Sequence, residues 1–158
     1  MKCGVTLSGI IALVGLSTTA HAQAIGDWSV SAAQGYQEHI VSNGPGNSFN
    51  ISCDVGASDP GKEKGPSLFV EIVGKAPKPH TFVDVFAIDT VFRLPVNGRG
   101  VIDTECRVCA SSFAALWYKL RKSNAIVVQY ADGMNSSFKT AGGAKALSPK
   151  PCTSGSGR

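Results

Sequence analysis

The chain has 158 residues, is 43% hydrophobic and 16% charged, and carries a formal net charge of +4. That length suits one domain with a core that closes without a metal. So mild a basicity is that of a solvated surface, with a weak anionic contact as the alternative, and it requires no partner.

The first 24 residues read MKCGVTLSGIIALVGLSTTAHAQA. Lys2, an apolar stretch from Val5 to Leu16, and the small-residue ends AHA and AQA make the pattern of a secretory signal peptide, residues 1–22 with an alternative end at 24. A spanning helix needs about 20 apolar residues, and this stretch is shorter. Cys3 precedes the stretch and so does not sit at an acylation site. No later segment is long and apolar enough to span a bilayer. The expected product is a single β-rich domain, 25–152, with a disordered polar tail, 153–158, in the periplasm, secreted, or on the cell surface. Losing Lys2 lowers the charge from +4 to +3, and export removes nucleic acid as a target.

In the mature part, DWSVSA (27–32) alternates Trp28, Val30 and Ala32 against polar residues, the period of a half-buried strand. NGPGNS (43–48) reads as a turn. FNISCDV (49–55) alternates again, the polar run 56–67 reads as a loop, and LFVEIV (68–73) reads as a strand. HTFVDVFAI (80–88) is apolar on both faces, which predicts a central strand covered on both sides. Asp84 interrupts one face and needs a partner if buried, with Arg93 and Arg99 the candidates; a catalytic role has no second acid or base to support it. NGRG (97–100) between VFRLPV and VIDTEC predicts a hairpin.

Phe113, Leu116, Trp117 and Leu120 fall at helical spacing and form a core stripe. Ser111 or Ser112 is the expected cap, and Lys119, Arg121 and Lys122 suit the far end of the dipole. AIVVQYA (125–131) is a strand, SSFKTAG a short one, and the run before Cys152 holds at most one helical turn. About seven or eight short strands and one amphipathic helix make a mainly β fold, a sandwich or compact barrel-like domain.

Four cysteines outlast cleavage: Cys53, Cys106, Cys109 and Cys152. An even number in an exported chain argues for disulfides, and three pairings are open. Cys106-x-x-Cys109 invites a thiol oxidoreductase reading. With the helix capped at Ser111 or Ser112, however, Cys106 lies too far ahead of it to feel the dipole, and no βαβ context surrounds the motif. Zinc would need two close ligand pairs, but Cys53 and Cys152 are singletons, and His39 and His80 read as surface or strand-end residues without spaced partners. No metal, cofactor or catalytic residue is therefore expected. HExxH, GxSxG and Walker motifs are missing, and a Ser-His-Asp set drawn freely from the composition carries no weight. The Asn-x-Ser matches at Asn50 and Asn135 matter only in a glycosylating organism.

The order of features resembles the invasion-associated locus B family of exported bacterial proteins. The likeness rests on GDWSV near the mature start, the strands ISCDV and LFVEIV, and the run from FRLPVNGRG through the paired cysteines, helix and strand to the closing F…GG…AL segment. It implies an exported all-β protein linked, in pathogenic relatives, with entry into host cells, and no catalytic residues. Two departures stand out. Ser31 lies about where the family carries a cysteine paired to the next strand, and the family's second pair is spaced slightly wider than Cys106 and Cys109. Cys152 is then the replacement partner for Cys53, which leaves Cys106 with Cys109 as a structural bridge at the foot of the helix. The expected function is non-enzymatic binding of an envelope or host-surface protein. The alternatives are a periplasmic thiol–disulfide protein using Cys106 and Cys109, and an accessory subunit of a secretion or conjugation assembly.

Overall fold

A computed structural model describes residues 22–56 and 65–152. Nearly all of the expected signal peptide, the middle of the loop 56–67, and the tail 153–158 lie outside the described residues. The protein is mainly β. Nine strands among the described residues form two antiparallel sheets, accompanied by one long helix and one short one.

The first sheet runs in simple meander order: β1 (Gln23–Ile25), β2 (Trp28–Ala33), β3 (Tyr36–Ser42), β4 (Ser48–Asp54) and β5 (Ser67–Glu71). The second contains β6 (Phe82–Ala87), β7 (Thr90–Pro95), β8 (Ala125–Tyr130) and β9 (Asn135–Lys139), in the order β7-β6-β8-β9. Helix α1 (Arg107–Leu120) connects β7 to β8, and α2 (Gly143–Ala146) follows β9.

Strict alternation in these strands turns one set of side chains inward. Phe49, Ile51 and Cys53 of β4 meet Val83, Val85, Ile126, Val128 and Phe138 of the second sheet in one core. The Phe49 and Phe138 rings, 6.3 Å apart, join the two layers directly. The Tyr130 hydroxyl lies 2.9 Å from the carbonyl oxygens of both Val70 and Lys75 and donates between them, tying β8 to β5 and the turn beyond it. Burial pushes its pKa well above the usual phenol value. Ile102 bridges Leu68 on one sheet and Val96 beyond β7 on the other, so the sandwich is partly closed along that side.

Trp28, Phe113, Leu116, Trp117 and Leu120 are all buried. The four helical residues form the inner stripe of α1, which packs on β7 and β6. Trp117 also meets His39 of β3 edge to face, at 5.7 Å.

Several elements differ from the sequence reading. Tyr36–Ser42 is a central strand of the first sheet, although its Gln37-Glu38-His39 run looks polar. Its inward positions are His39 and Val41, and a buried histidine hides the alternation. For the same reason His39 is not a surface or strand-end residue, whereas His80 does lie exposed in a turn, at φ 57°. Gln23–Ile25 adds a short edge strand, starting at the first residue after one of the two expected cleavage points. The hairpin at Asn97 forms, with the Asn97 side-chain oxygen accepting from the Arg99 and Val101 amides, but VIDTEC does not continue as a strand beyond Ile102.

Strand β6 is covered on one face only. Its outer face is a pleat of Phe82, Asp84 and Phe86, with Phe86 exposed beside Val91 and Val127 in cross-strand register. A bidentate pair with Arg93 at 2.9 and 2.8 Å, on the directly opposite residue of β7, satisfies Asp84 there, and the Arg93 guanidinium lies 4.0 Å from the Phe82 ring centroid. The carboxylate is an ion-pair partner on a sheet face, and Arg93 rather than Arg99 fills that role.

Candidate functional site

Two disulfides are present among the described residues, Cys53–Cys152 and Cys106–Cys109. The first joins the inner face of β4 to the segment after α2 and spans 99 residues. Several contacts hold that closing segment to the body. Trp117 Nε1 donates to the Ser148 carbonyl at 2.9 Å, and an Arg121 guanidinium nitrogen donates to that of Ala144 at 3.3 Å. The GDW and TAGG stretches face each other here. Gly26, at φ 63°, allows an approach to Ala141 that a Cβ would block. Asp27 exchanges hydrogen bonds with the Ala141 backbone at 2.9 and 2.7 Å, and Trp28 Nε1 donates to the Thr140 carbonyl at 3.0 Å.

The second disulfide sits where the helix begins. Helix α1 starts at Arg107, four residues ahead of Ser111, and Cys106 is its N-cap. The Cys109 amide donates to Cys106 Sγ at 3.1 Å, so sulfur takes the place of the usual capping oxygen. Asp103 prepares the turn by accepting from the Glu105 and Cys106 amides at 2.9 and 3.2 Å. Ser111 lies inside the helix and donates back to the Arg107 carbonyl at 3.2 Å. The expectation that a serine caps α1 therefore fails, because a Cys-x-x-Cys pair can close the first turn by itself. Cys106 is exposed and Cys109 is 3% exposed. Asp103, Cys106 and Cys109 bring potential ligand atoms within 4.8 Å of one another, but sulfurs joined to each other offer no thiolate to a metal.

A different kind of site lies on the outer face of the first sheet. Ser31, Glu38, Ser52 and Ser67 stand in one cross-strand row. Small residues in that row leave a floor, and Tyr36 and Phe69 rise on either side from the neighbouring rows. The result is an open trough of about 430 Å³ lined by Ser31, Ala33, Tyr36, Glu38, Ser52 and Phe69. Tyr36 is 40% and Phe69 45% exposed. Beside Phe69, the Asn50 side-chain oxygen is buried without a hydrogen-bond partner among the described residues. The sequence reading gave these positions no role. Their signal, small outward residues on β2, β4 and β5 in line with Glu38 of β3 and flanked by aromatics, appears only once β3 is placed between β2 and β4.

His39 is a titratable group with a buried ring. Burial lowers its pKa to about 4, against a hydrogen bond to the Ala146 backbone that favours the protonated form. Its Nδ1 has no hydrogen-bond partner among the described residues. It faces the core and the Trp117 ring, on the face of β3 opposite the trough.

A family model, YfjT, matches residues 26–147, from the Gly26 turn to the end of α2. That span includes the trough and the Cys106–Cys109 pair and stops before Cys152. Searches of curated proteins and of solved structures each return no match.

Proposed function

The chain belongs to the YfjT family, and from that premise we propose that it is an exported envelope protein that works by binding, in the manner of the invasion-associated locus B proteins it resembles. The aromatic-walled trough on the outer face of the first sheet carries this reading. Tyrosine and phenylalanine exposed over a polar floor are typical anchors of protein recognition, because they bury much area at small cost in conformational freedom. Glu38 on the floor and the unpartnered Asn50 oxygen beside it suit a partner segment that presents an apolar flank with a basic or donor group. Two disulfides fit an oxidising compartment, which supports export. Among the described residues no helix is long and apolar enough to cross a membrane.

The test is capture from native envelope with the exported form as bait, followed by mass spectrometry, in parallel with a Tyr36→Ser/Phe69→Ser double variant. Both side chains point outward, so the variant folds. An anchor residue is worth about 2 kcal/mol, so the pair should weaken capture by more than about a hundredfold. Equal capture by both baits removes the trough from the function. Recovery of one stoichiometric multi-protein complex would point to the accessory-subunit alternative.

A further inference from the structure

We propose that Cys106 and Cys109 form a thiol–disulfide exchange site, at which a cysteine thiolate of another exported protein attacks the sulfur of Cys106, the exposed residue of the pair. Exposure sets the direction of attack. An incoming thiolate reaches Cys106, while Cys109 lies in the core side of α1. Attack forms a bond from the substrate sulfur to Cys106 Sγ and breaks the bond between Cys106 and Cys109. Cys109 leaves as a thiolate and takes a proton from water. A second thiolate of the same substrate then attacks the substrate's own sulfur in the mixed disulfide and releases Cys106 as a thiolate, which is protonated in turn. The substrate gives up two electrons and two protons and gains one disulfide. The pair receives both electrons and both protons. A small-molecule disulfide, such as that of glutathione, restores the bridge in two exchanges: the Cys106 thiolate attacks it and releases one small thiolate, and the Cys109 thiolate then attacks Cys106 Sγ and releases the second.

The structure supplies what this chemistry needs at Cys106. The sulfur is the N-cap of a 14-residue helix with no acidic residue in its first turn. The positive end of the helix and the Cys109 amide, already 3.1 Å from Sγ, favour a thiolate there, and exposed Arg107 adds to them. Asp103 opposes them, but both of its backbone hydrogen bonds fall on one carboxylate oxygen, which draws part of its charge into the turn. A stabilised leaving thiolate favours the reduced pair, which makes the oxidised pair a donor of disulfides. The bridge itself closes only a separation of 3 residues, so it constrains little of the chain and opening it leaves the helix in place. A cleft of about 170 Å³, lined by Asn97, Arg99, Asp103 and Glu105 among others, runs up to the residue before Cys106 and can hold the chain flanking a substrate cysteine.

Cys53–Cys152 is the internal control, since Cys53 is buried in the core and Cys152 packs partly buried against it. The oxidised protein is mixed with a reduced synthetic peptide carrying two cysteines, free thiols are blocked at intervals, and disulfides are mapped by mass spectrometry. The expected result is loss of Cys106–Cys109, gain of the peptide disulfide, and an intact Cys53–Cys152. Reduced Cys109→Ser, given the peptide in its disulfide form, should accumulate a mixed disulfide on Cys106. Cys106→Ser changes one sulfur, on the exposed residue of the pair, and should abolish transfer. A pair that stays oxidised while the peptide stays reduced, or a Cys106→Ser protein that reacts as fast as the unaltered one, overturns the proposal.

Discussion

His39 shows how one residue type can be misread. Histidine is common at surfaces, and the polar run around it hides its inward position on β3. In the fold it is a neutral core ring with its pKa lowered to about 4. In the unfolded chain it titrates near 6.5. Between these values the unfolded state binds the extra proton, so stability is complete above pH 6.5 and falls as pH drops towards 4. The loss attributable to His39 should reach about 3 kcal/mol below pH 4. Urea midpoints from pH 7 to 4 should therefore fall more steeply for the unaltered protein than for His39→Phe, and parallel curves would show that the ring charges without penalty. Asp84 makes the opposite point. Its need for a partner was legible from its place in an apolar run. That Arg93 supplies it follows from strand register, which pairs the two directly.

At the scale of elements, the stripe of α1 was readable because four large apolar residues at helical spacing have no alternative use in so short a segment. Truncating Trp117 to Ala removes a fully buried ring and its hydrogen bond to Ser148, and should cost about 3–5 kcal/mol in denaturant unfolding. The start of α1 was not readable. Serine is the usual cap, and nothing local reveals that a sulfur three residues before its partner amide can serve instead. Ser111→Ala should accordingly leave stability within about 0.5 kcal/mol, as for an ordinary helix surface site, where loss of a true cap would cost about 1 kcal/mol. A drop of the larger size would put the cap back at Ser111. The exposed row of Phe86, Val91 and Val127 has a similar origin. An apolar outward face reads as a covered one, yet only the inner face of β6 has a layer against it.

For the molecule as a whole, the closing segment matters most. Residues 140–152 meet the β1–β2 turn, β2, α1 and β4 through Asp27, Trp28, Trp117 and Cys53. Cys53–Cys152 turns these contacts into one covalent loop across a separation of 99 residues. In the chain-entropy model a loop of about 100 residues contributes about 4.7 kcal/mol. Replacing both cysteines with serine should lower the unfolding free energy by about that much. Thermal and urea unfolding would check it, and an unchanged midpoint would mean that the segment is held without its bridge. The same change should leave Cys106–Cys109 exchange unaltered, since one bridge closes on β4 and the other on the first turn of α1.

Local pattern in the sequence settles a β-rich domain, the inward stripe of α1, the turn at Asn97, and four cysteines within the domain. These follow from period, length and turn chemistry, which act over a few neighbouring residues. Tertiary structure alone decided what depends on register and on distant segments meeting. It placed His39 inside, brought GDW against TAGG, lined up Ser31, Glu38 and Ser52 beneath Tyr36 and Phe69, and set Cys106 at the mouth of a helix with Cys109 behind it. A side chain's face is a property of its strand, but what that face meets is a property of the strands on either side, and no window of sequence contains them all.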